Sequence, residues 1–491
     1  MLCGILLAAL LVRCVFFFGG IRGSDAFAYA RYAHDIASGQ YDLEGIRMFY
    51  GFRYSLLLPT AMGFSLFGVN DIGASFFPLI FSLLNIWVVF LIGKRIFNDA
   101  IALVAALLLA FYPINIATST GLSPDSFIPF FSSLAIYFYL VAEKPSTSAM
   151  RAALLLMASG MLVGLAYMSR VTSIFLFFTL VIYQIFNRKY AFSCWTTIGS
   201  LIPLTAEVFY FYMMTGDPLF EIHRITSPEI VSTVKNDYDT GLLFYPKRML
   251  GFELEGLAYY GMGWWFVIGG LALSWFKKDK GMVFIAFCLI LPFLGFEFGF
   301  QSLKEGTLIA KSCTYLSLMI APIMLIGAYF IVHAYQIASV PYEKRIVIVL
   351  MMAIVLMSMN LYAVYRFQAN GRNDAQPYKV VADYLRERPG AVVYTHHYRW
   401  PLFLGYFLQY DRSYQFKDLN DISERDFSAL SHVYVIFSKR YLEADVIGRA
   451  LKRDRYYYRY AVVQPKHWTK VLSFSGKPVY NSVDVFYIKS P

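Results

Sequence analysis

Long apolar blocks recur along most of the chain, and they constrain its fold more than any other feature. Each block is close to the roughly 20 helical residues needed to cross a hydrocarbon core. Candidate spans fall at 1–20, 72–93, 99–117, 125–142, 152–168, 171–187, 192–214, 259–276, 281–299, 312–333 and 346–365. The sequence therefore predicts a mainly α fold, a polytopic transmembrane helical bundle of about 11 spans.

Composition and charge agree with a membrane protein and suggest its orientation. Hydrophobic residues make up 58% of the chain and charged residues only 15%, too few for a soluble surface. The short basic loops on alternate sides predict a cytoplasmic face, where Lys and Arg concentrate: Lys94/Arg95, Lys144/Arg151, Arg188/Lys189, Lys277/Lys278/Lys280 and Lys344/Arg345. These loops and their contacts with anionic membrane lipids explain the net charge of +11, so no nucleic-acid partner is expected.

The remaining loops are long, mixed in charge and rich in aromatic residues, and they are expected on the extracytoplasmic side. They comprise 21–71, 215–258 and the tail after 366. In the tail, β-type segments occur at 391–395, 432–438 and 483–489, with helices at 377–388 and near 441–453. We predict a transmembrane domain over 1–368 and a small C-terminal α/β extracytoplasmic domain over 369–491.

The first outer loop, 21–71, carries the leading candidate for chemistry. Ser24 is a suitable N-cap for a helix on which Asp25, Tyr29, Tyr32 and Ile36 share one face. Asp25 lies in the first turn, where the helix dipole favours the ionised carboxylate that a general base requires. Asp25 is therefore a candidate catalytic residue, and Tyr29 and Tyr32 are candidate substrate-binding residues. The alternative is that Asp25 only supports the helix N-terminus.

A second acid and three cations complete the set of candidates. Asp125 follows Pro124 where an outward turn enters a span. It is either a catalytic residue or an ordinary residue of a helix N-terminus. Arg53, Arg170 and Lys311 are basic residues at outward positions, exceptions to the positive-inside rule. They suit the phosphate of a leaving group, although snorkelling at the membrane interface also explains such residues.

The order of these motifs resembles a known family. The segments are SDAFAYARYAHDIASGQY, FRYSLLLPTAMGFSLFG, GKRIF, YPINIATSTGLSPDSFIPFF, GLAYMSRVTSIFLFF and KSCTYLSLMIAPIMLIGAY. In this order they resemble the GT-C glycosyltransferases, and more narrowly the protein O-mannosyltransferase and lipid A aminoarabinose transferase superfamily. The resemblance covers residues 1–190, and 300–370 more loosely. Two motifs depart from relatives: Asp25 is followed by Ala26 rather than an acid, and Trp264–Trp265 by Phe266 rather than Asp.

The resemblance implies roles for several residues. Asp25 corresponds to the base or acceptor-binding carboxylate, and Asp125 to an acceptor-site or orienting group. Arg53 and Arg170 correspond to donor-phosphate contacts, and Lys311 is a further candidate from its position alone. The departures make protein O-mannosylation and N-glycosylation less suitable activities than modification of an envelope glycan.

The expected activity is therefore sugar transfer, with inversion, from a polyprenyl-phosphate-linked donor. The acceptor would be lipid A, O-antigen, another glycan or a protein, on the extracytoplasmic side of a cytoplasmic (inner) membrane. No metal site, cofactor or obligatory metal is expected, because the first loop has no DxD motif. A transporter or flippase, a polysaccharide polymerase and a non-catalytic envelope protein are the alternatives.

Overall fold

The structure, a computed structural model, describes most of the 491 residues. The described residues are 1–17, 21, 23–46, 49–226, 241–250, 259–261, 263–302, 307–309, 311–337, 342–395, 399–418, 433–438, 457–462 and 483–488.

Helices dominate the described part of the chain, which confirms the predicted fold class. In chain order they are α1 (Leu2–Val15), α2 (Gly23–Ala37), α3 (Tyr54–Phe67), α4 (Asp71–Ile96), α5 (Asp99–Ala110), α6 (Pro113–Thr118), α7 (Pro124–Ala142), α8 (Ala149–Ser169), α9 (Ile174–Phe186), α10 (Tyr190–Thr215), α11 (Phe220–Ile225), α12 (Phe244–Met249), α13 (Gly263–Lys277), α14 (Lys280–Phe298), α15 (Ile320–Ile337), α16 (Tyr342–Arg386) and α17 (Arg399–Phe407). Short 3₁₀ helices occur at Phe49–Phe52, Val171–Ser173 and Cys313–Met319.

Six helical segments among the described residues are long and apolar enough to cross a membrane. They are Asp71–Ile96, Pro124–Ala142, Ala149–Ser169, Tyr190–Thr215, Gly281–Phe298 and Cys313–Gln336, and shorter apolar helices occur at Leu2–Val15, Tyr54–Phe67, Asp99–Ala110, Val171–Phe186 and Ala353–Tyr365. Each predicted span overlaps a helix, although 99–117 is divided between α5 and α6, whereas α3 lies in what the sequence assigned to an outer loop. The number of crossings stays a prediction.

Glycines allow α8 and α10 to pack with their backbones in contact. A Cβ atom on Gly160 would lie 2.0 Å from the carbonyl oxygen of Thr196, and one on Gly199 would lie 2.1 Å from that of Met157. Small residues at such crossings are typical of membrane helix pairs, where close packing replaces hydrophobic burial as the driving force. This contact fixes the middle of α8, the helix that precedes Arg170, against α10.

The helix that carries Asp25 is held between the bundle and the C-terminal region. Phe27 on α2 packs against Phe403 on α17 with ring centroids 4.2 Å apart. The Tyr406 hydroxyl on α17 donates to Asp71 Oδ1 at the start of α4, over 2.9 Å. The C-terminal region therefore supports α2 directly, and the first residues of α4 as well.

Beyond α16 the chain forms a five-stranded mixed sheet. Its strands are β3 (Val392–Thr395), β4 (Gln415–Asp418), β5 (Val433–Ser438), β6 (Tyr457–Val462) and β7 (Val483–Ile488), after the small hairpin β1 (Phe300–Ser302) and β2 (Thr307–Leu308). The sheet order is β4-β3-β5-β7-β6, parallel at β4-β3-β5 and antiparallel at β5-β7-β6.

Three of these strands coincide with the segments predicted from sequence. The helix predicted near 441–453 lies outside the described residues. Position 368 falls inside α16, so one continuous helix joins the two predicted domains. The division at 368/369 and the extracytoplasmic placement of the tail stay predictions.

Candidate active site

Asp25 lies in the first turn of α2, as the sequence predicts. Its Oδ1 accepts a 2.8 Å hydrogen bond from the Tyr50 hydroxyl. Tyr50 belongs to the 3₁₀ helix Phe49–Phe52, which brings the chain back past the start of α2. The carboxylate is thus oriented by a neutral donor that is 25 residues away in the chain.

Arg53 joins the same group through Tyr29. The guanidinium donates to the Tyr29 hydroxyl and lies 4.9 Å from the ring centre of Phe49. The Tyr29 and Tyr50 rings meet edge to face at 5.3 Å. Within the described part of the chain, no carboxylate lies at ion-pair distance from Arg53, so its charge remains available to an anionic ligand.

Asp125 and Arg170 form a buried ion pair. Two parallel N–H···O bonds of 2.6 and 3.0 Å join them, and their side chains are only 3% and 10% exposed. Ser123 and Ser317 also donate to the carboxylate, over 2.8 and 3.0 Å. The guanidinium further lies 4.7 Å from the ring centre of Tyr315. Much of the charge of Arg170 is therefore neutralised within the protein.

A serine contact holds the two groups together. The hydroxyls of Ser55, in the first turn of α3 after Arg53, and Ser169, directly before Arg170, lie 2.6 Å apart and are buried. Burial raises the pKa of the Tyr29 hydroxyl, so it stays protonated near neutral pH. Four predicted residues are close enough for their charges to act on that hydroxyl: Arg53, Asp25, Arg170 and Asp125. The structure therefore gathers both acids and both arginines around Tyr29.

Lys311 lies in a different ion pair. Its amino group donates to Glu297 Oε1 over 2.8 Å and to the carbonyl of Gly241 over 2.7 Å, and both charged side chains are fully buried. The other oxygen of Glu297 accepts from the backbone N–H of Tyr245 at 3.1 Å. Lys311 is thus committed to internal partners, and its predicted role in phosphate binding stays a prediction.

Tyr32 lies about one turn beyond Tyr29 and faces another part of the first outer segment. Its ring is 6.5 Å from that of Tyr41, in an edge-to-face arrangement. The structure thus places Tyr29 among the charged side chains and Tyr32 beside Tyr41. Substrate binding by either residue stays a prediction.

Several residues at the site were not singled out from the sequence. Tyr50, Tyr315 and Ser317 contact the candidates, but nothing in their spacing indicates this. Glu207 could have been found, because an acid inside an apolar span is usually paired or functional. In the outer loop 215–258, Glu221 is partly buried. Among the described residues, no three His, Cys, Asp or Glu side chains are grouped to hold a metal; the expectation of no metal stays a prediction.

Similarity to solved structures defines the class of fold. ArnT from Cupriavidus metallidurans in the apo state superposes with a TM-score of 0.66 at 16% identity, over 98% of this chain and 97% of that one. The same protein bound to undecaprenyl phosphate gives 0.62 at 16% identity over the same shares. The Archaeoglobus fulgidus oligosaccharyltransferase gives 0.57 at 12% identity, over 95% of this chain and 73% of that one. The chain therefore has the GT-C glycosyltransferase fold.

A family model agrees with this fold. Residues 58–210 match the family described as dolichyl-phosphate-mannose-protein mannosyltransferase. No curated protein sequence matches the chain. The resemblance to the GT-C superfamily, and to its mannosyltransferase and ArnT branch, is confirmed, and together these findings support a multi-pass membrane glycosyltransferase.

Proposed function

We propose that this protein transfers a sugar from a polyprenyl-phosphate-linked donor to an envelope acceptor on the extracytoplasmic face of the cytoplasmic membrane. The observation that carries the proposal is the grouping of Asp25 and Tyr50 with Arg53 and Tyr29, beside the Asp125–Arg170 pair. A carboxylate and an available guanidinium in one group are what a displacement at a sugar phosphate needs. The ArnT structure with undecaprenyl phosphate and the matching family model both support a lipid-linked donor.

In the proposed mechanism the acceptor hydroxyl lies against Asp25. The acceptor oxygen attacks the anomeric carbon while its proton passes to the Asp25 carboxylate. The bond between the anomeric carbon and the phosphate oxygen breaks, and its electron pair leaves on polyprenyl phosphate. A single displacement of this kind inverts the anomeric configuration. The acceptor would be lipid A, O-antigen, another glycan or a protein.

Arg53 is the better candidate for the leaving phosphate. Its guanidinium has neutral partners, whereas Arg170 makes a bidentate pair with Asp125. A fixed positive charge stabilises the negative charge that develops on phosphate as the bond breaks. Arg170 then acts mainly through Asp125, holding the end of α8 and the start of α7 at the site.

The test is sugar transfer by the purified protein in liposomes. Asp25→Asn keeps the shape of the side chain but removes its basicity, and we expect turnover to fall by about 100-fold or more. Asp35→Asn on the same helix is the matched control, because Asp35 pairs with Arg31 four residues away. Near-normal turnover in Asp25→Asn would contradict the mechanism.

The donor and acceptor can be identified in cells. Lipid-resolved mass spectrometry of strains with and without the gene should show an envelope glycan or lipid that lacks one sugar, together with accumulation of the sugar-loaded polyprenyl phosphate. Loss of whole glycan chains would favour a polymerase instead. Loss of lipid movement across the membrane, with every glycan keeping all its sugars, would favour a flippase.

A further inference from the structure

A carboxylate in α10 has no described partner for one of its oxygens. Glu207 is only 7% exposed, and its Oε1 is buried without a hydrogen bond from any residue that the structure describes. The helix around it is apolar and long enough to cross a membrane. Burying an acid without a partner is unfavourable, and ionisable groups inside spans normally mark a functional site.

A second acid, Glu221, is near enough for its charge to act on Glu207. Burial raises the pKa of Glu221 to about 7, while the positive charge of Arg53 lowers it. Glu221 is therefore within electrostatic reach of both Glu207 and the guanidinium assigned to the leaving phosphate.

The helix that carries Glu221 is anchored to the first outer segment. Arg224 donates to the carbonyl of Ile46 over 3.0 Å and to that of Glu44 over 3.1 Å. On the same helix, the ring of Phe220 lies 6.1 Å from that of Phe52, which directly precedes Arg53. These contacts fix the position of α11 relative to Arg53.

Tyrosine side chains complete the surroundings of the two acids. The hydroxyls of Tyr41 and Tyr54 lie 3.2 Å apart, and the rings of Tyr54 and Tyr210 are 5.8 Å apart. The charge of Glu207 reaches the hydroxyls of Tyr41 and Tyr54, and both acids act on Tyr167. Aromatic faces beside convergent polar groups are typical of small-molecule sites, and a sugar offers both hydroxyls and apolar C–H faces.

We propose that Glu207 and Glu221 bind the hydroxyl groups of the donor sugar and so select which sugar is transferred. This rests on the proposed function, in which Arg53 contacts the phosphate. The sugar is bonded directly to that phosphate, so its hydroxyls must lie close to whatever surrounds Arg53. Carboxylates accept hydrogen bonds from sugar hydroxyls, and the unpartnered oxygen of Glu207 is suited to such a donor.

Binding to the full-length protein in lipid nanodiscs, measured by native mass spectrometry, tests the proposal. The probes are undecaprenyl phosphate alone and the same lipid carrying mannose, glucose or 4-amino-4-deoxyarabinose. We expect the wild type to bind one loaded lipid more tightly than the bare lipid. Glu207→Gln and Glu221→Gln should each weaken the binding of that loaded lipid by about 10- to 100-fold. The binding of bare undecaprenyl phosphate should stay unchanged. Glu143→Gln is the matched control, because Glu143 pairs with Lys189 and lies at the other end of α7 from Asp125.

The outcomes separate this proposal from the proposed function. If the variants bind the loaded and the bare lipid equally weakly, the proposed contact with the sugar is wrong, because the acids then act through Arg53 and the phosphate. Unchanged binding in both variants, or a wild type with no preference for any loaded lipid, would also overturn it. A wild type that transfers sugar while either result holds would leave the proposed function intact. If Glu207→Gln does not fold, Glu221→Gln, on the short outer helix, still decides the question.

Discussion

Breaking the Asp125–Arg170 pair should destabilise the protein more than removing a surface charge. Arg170→Gln leaves the Asp125 carboxylate, which is 3% exposed, with hydroxyl donors only. Losing one partner of a buried ion pair costs about 3–5 kcal/mol, because the remaining charge stays desolvated. Asp125→Asn should cost a similar amount by leaving the guanidinium without its carboxylate.

The double variant Asp125→Asn/Arg170→Gln tests whether the two side chains interact as the geometry requires. Independent effects would add to about 6–10 kcal/mol. We expect the free energy of unfolding of the double variant to fall by about 1–3 kcal/mol less than that sum, because neither side chain is left as an unpaired charge. The assay is equilibrium unfolding in mixed micelles, followed by tryptophan fluorescence. Arg151→Gln, an exposed residue at the other end of α8, should stay within about 0.5 kcal/mol of the wild type. Strictly additive single effects would refute the reasoning.

Three further predictions concern stability, measured by thermal unfolding. Gly160→Ala should lower the melting temperature by several degrees because its Cβ would collide with the α10 backbone, whereas Gly4→Ala, with no atom within 4 Å, should not; equal effects would contradict the packing. Tyr406→Phe should cost about 1.5–3 kcal/mol by removing the bond to Asp71, and an unchanged melting temperature would argue against that contact. The carboxyl of Glu221 has a pKa raised to about 7 from an ordinary 4.5, so its contribution to stability is complete below pH 4.5 and is lost as the pH rises through 7. Glu221→Gln should therefore gain stability relative to the wild type across that interval, and a constant difference would contradict the shift.

The sequence by itself determined the class of fold and part of the site. Apolar blocks of membrane-spanning length allow little besides helices, since every backbone polar group must be satisfied within the bilayer. The position of Asp25 in the first turn of α2 followed from helical spacing alone, whereas the prediction of Ser24 as the N-cap was wrong, because the helix already begins at Gly23. Both kinds of signal act over a few residues, which explains why the sequence was sufficient for them.

Only the tertiary structure decided which charges meet. Arg170 and Asp125 are 45 residues apart, yet they form a bidentate pair, and Lys311, which the sequence grouped with Arg53, is instead paired with Glu297. These cations have similar positions in the sequence, but their partners differ, because the partners depend on how the helices pack. Small residues such as Gly160 set that packing, and no local pattern encodes which helix approaches them. Contacts between distant segments therefore separate Arg53, with its charge available, from cations that are already neutralised.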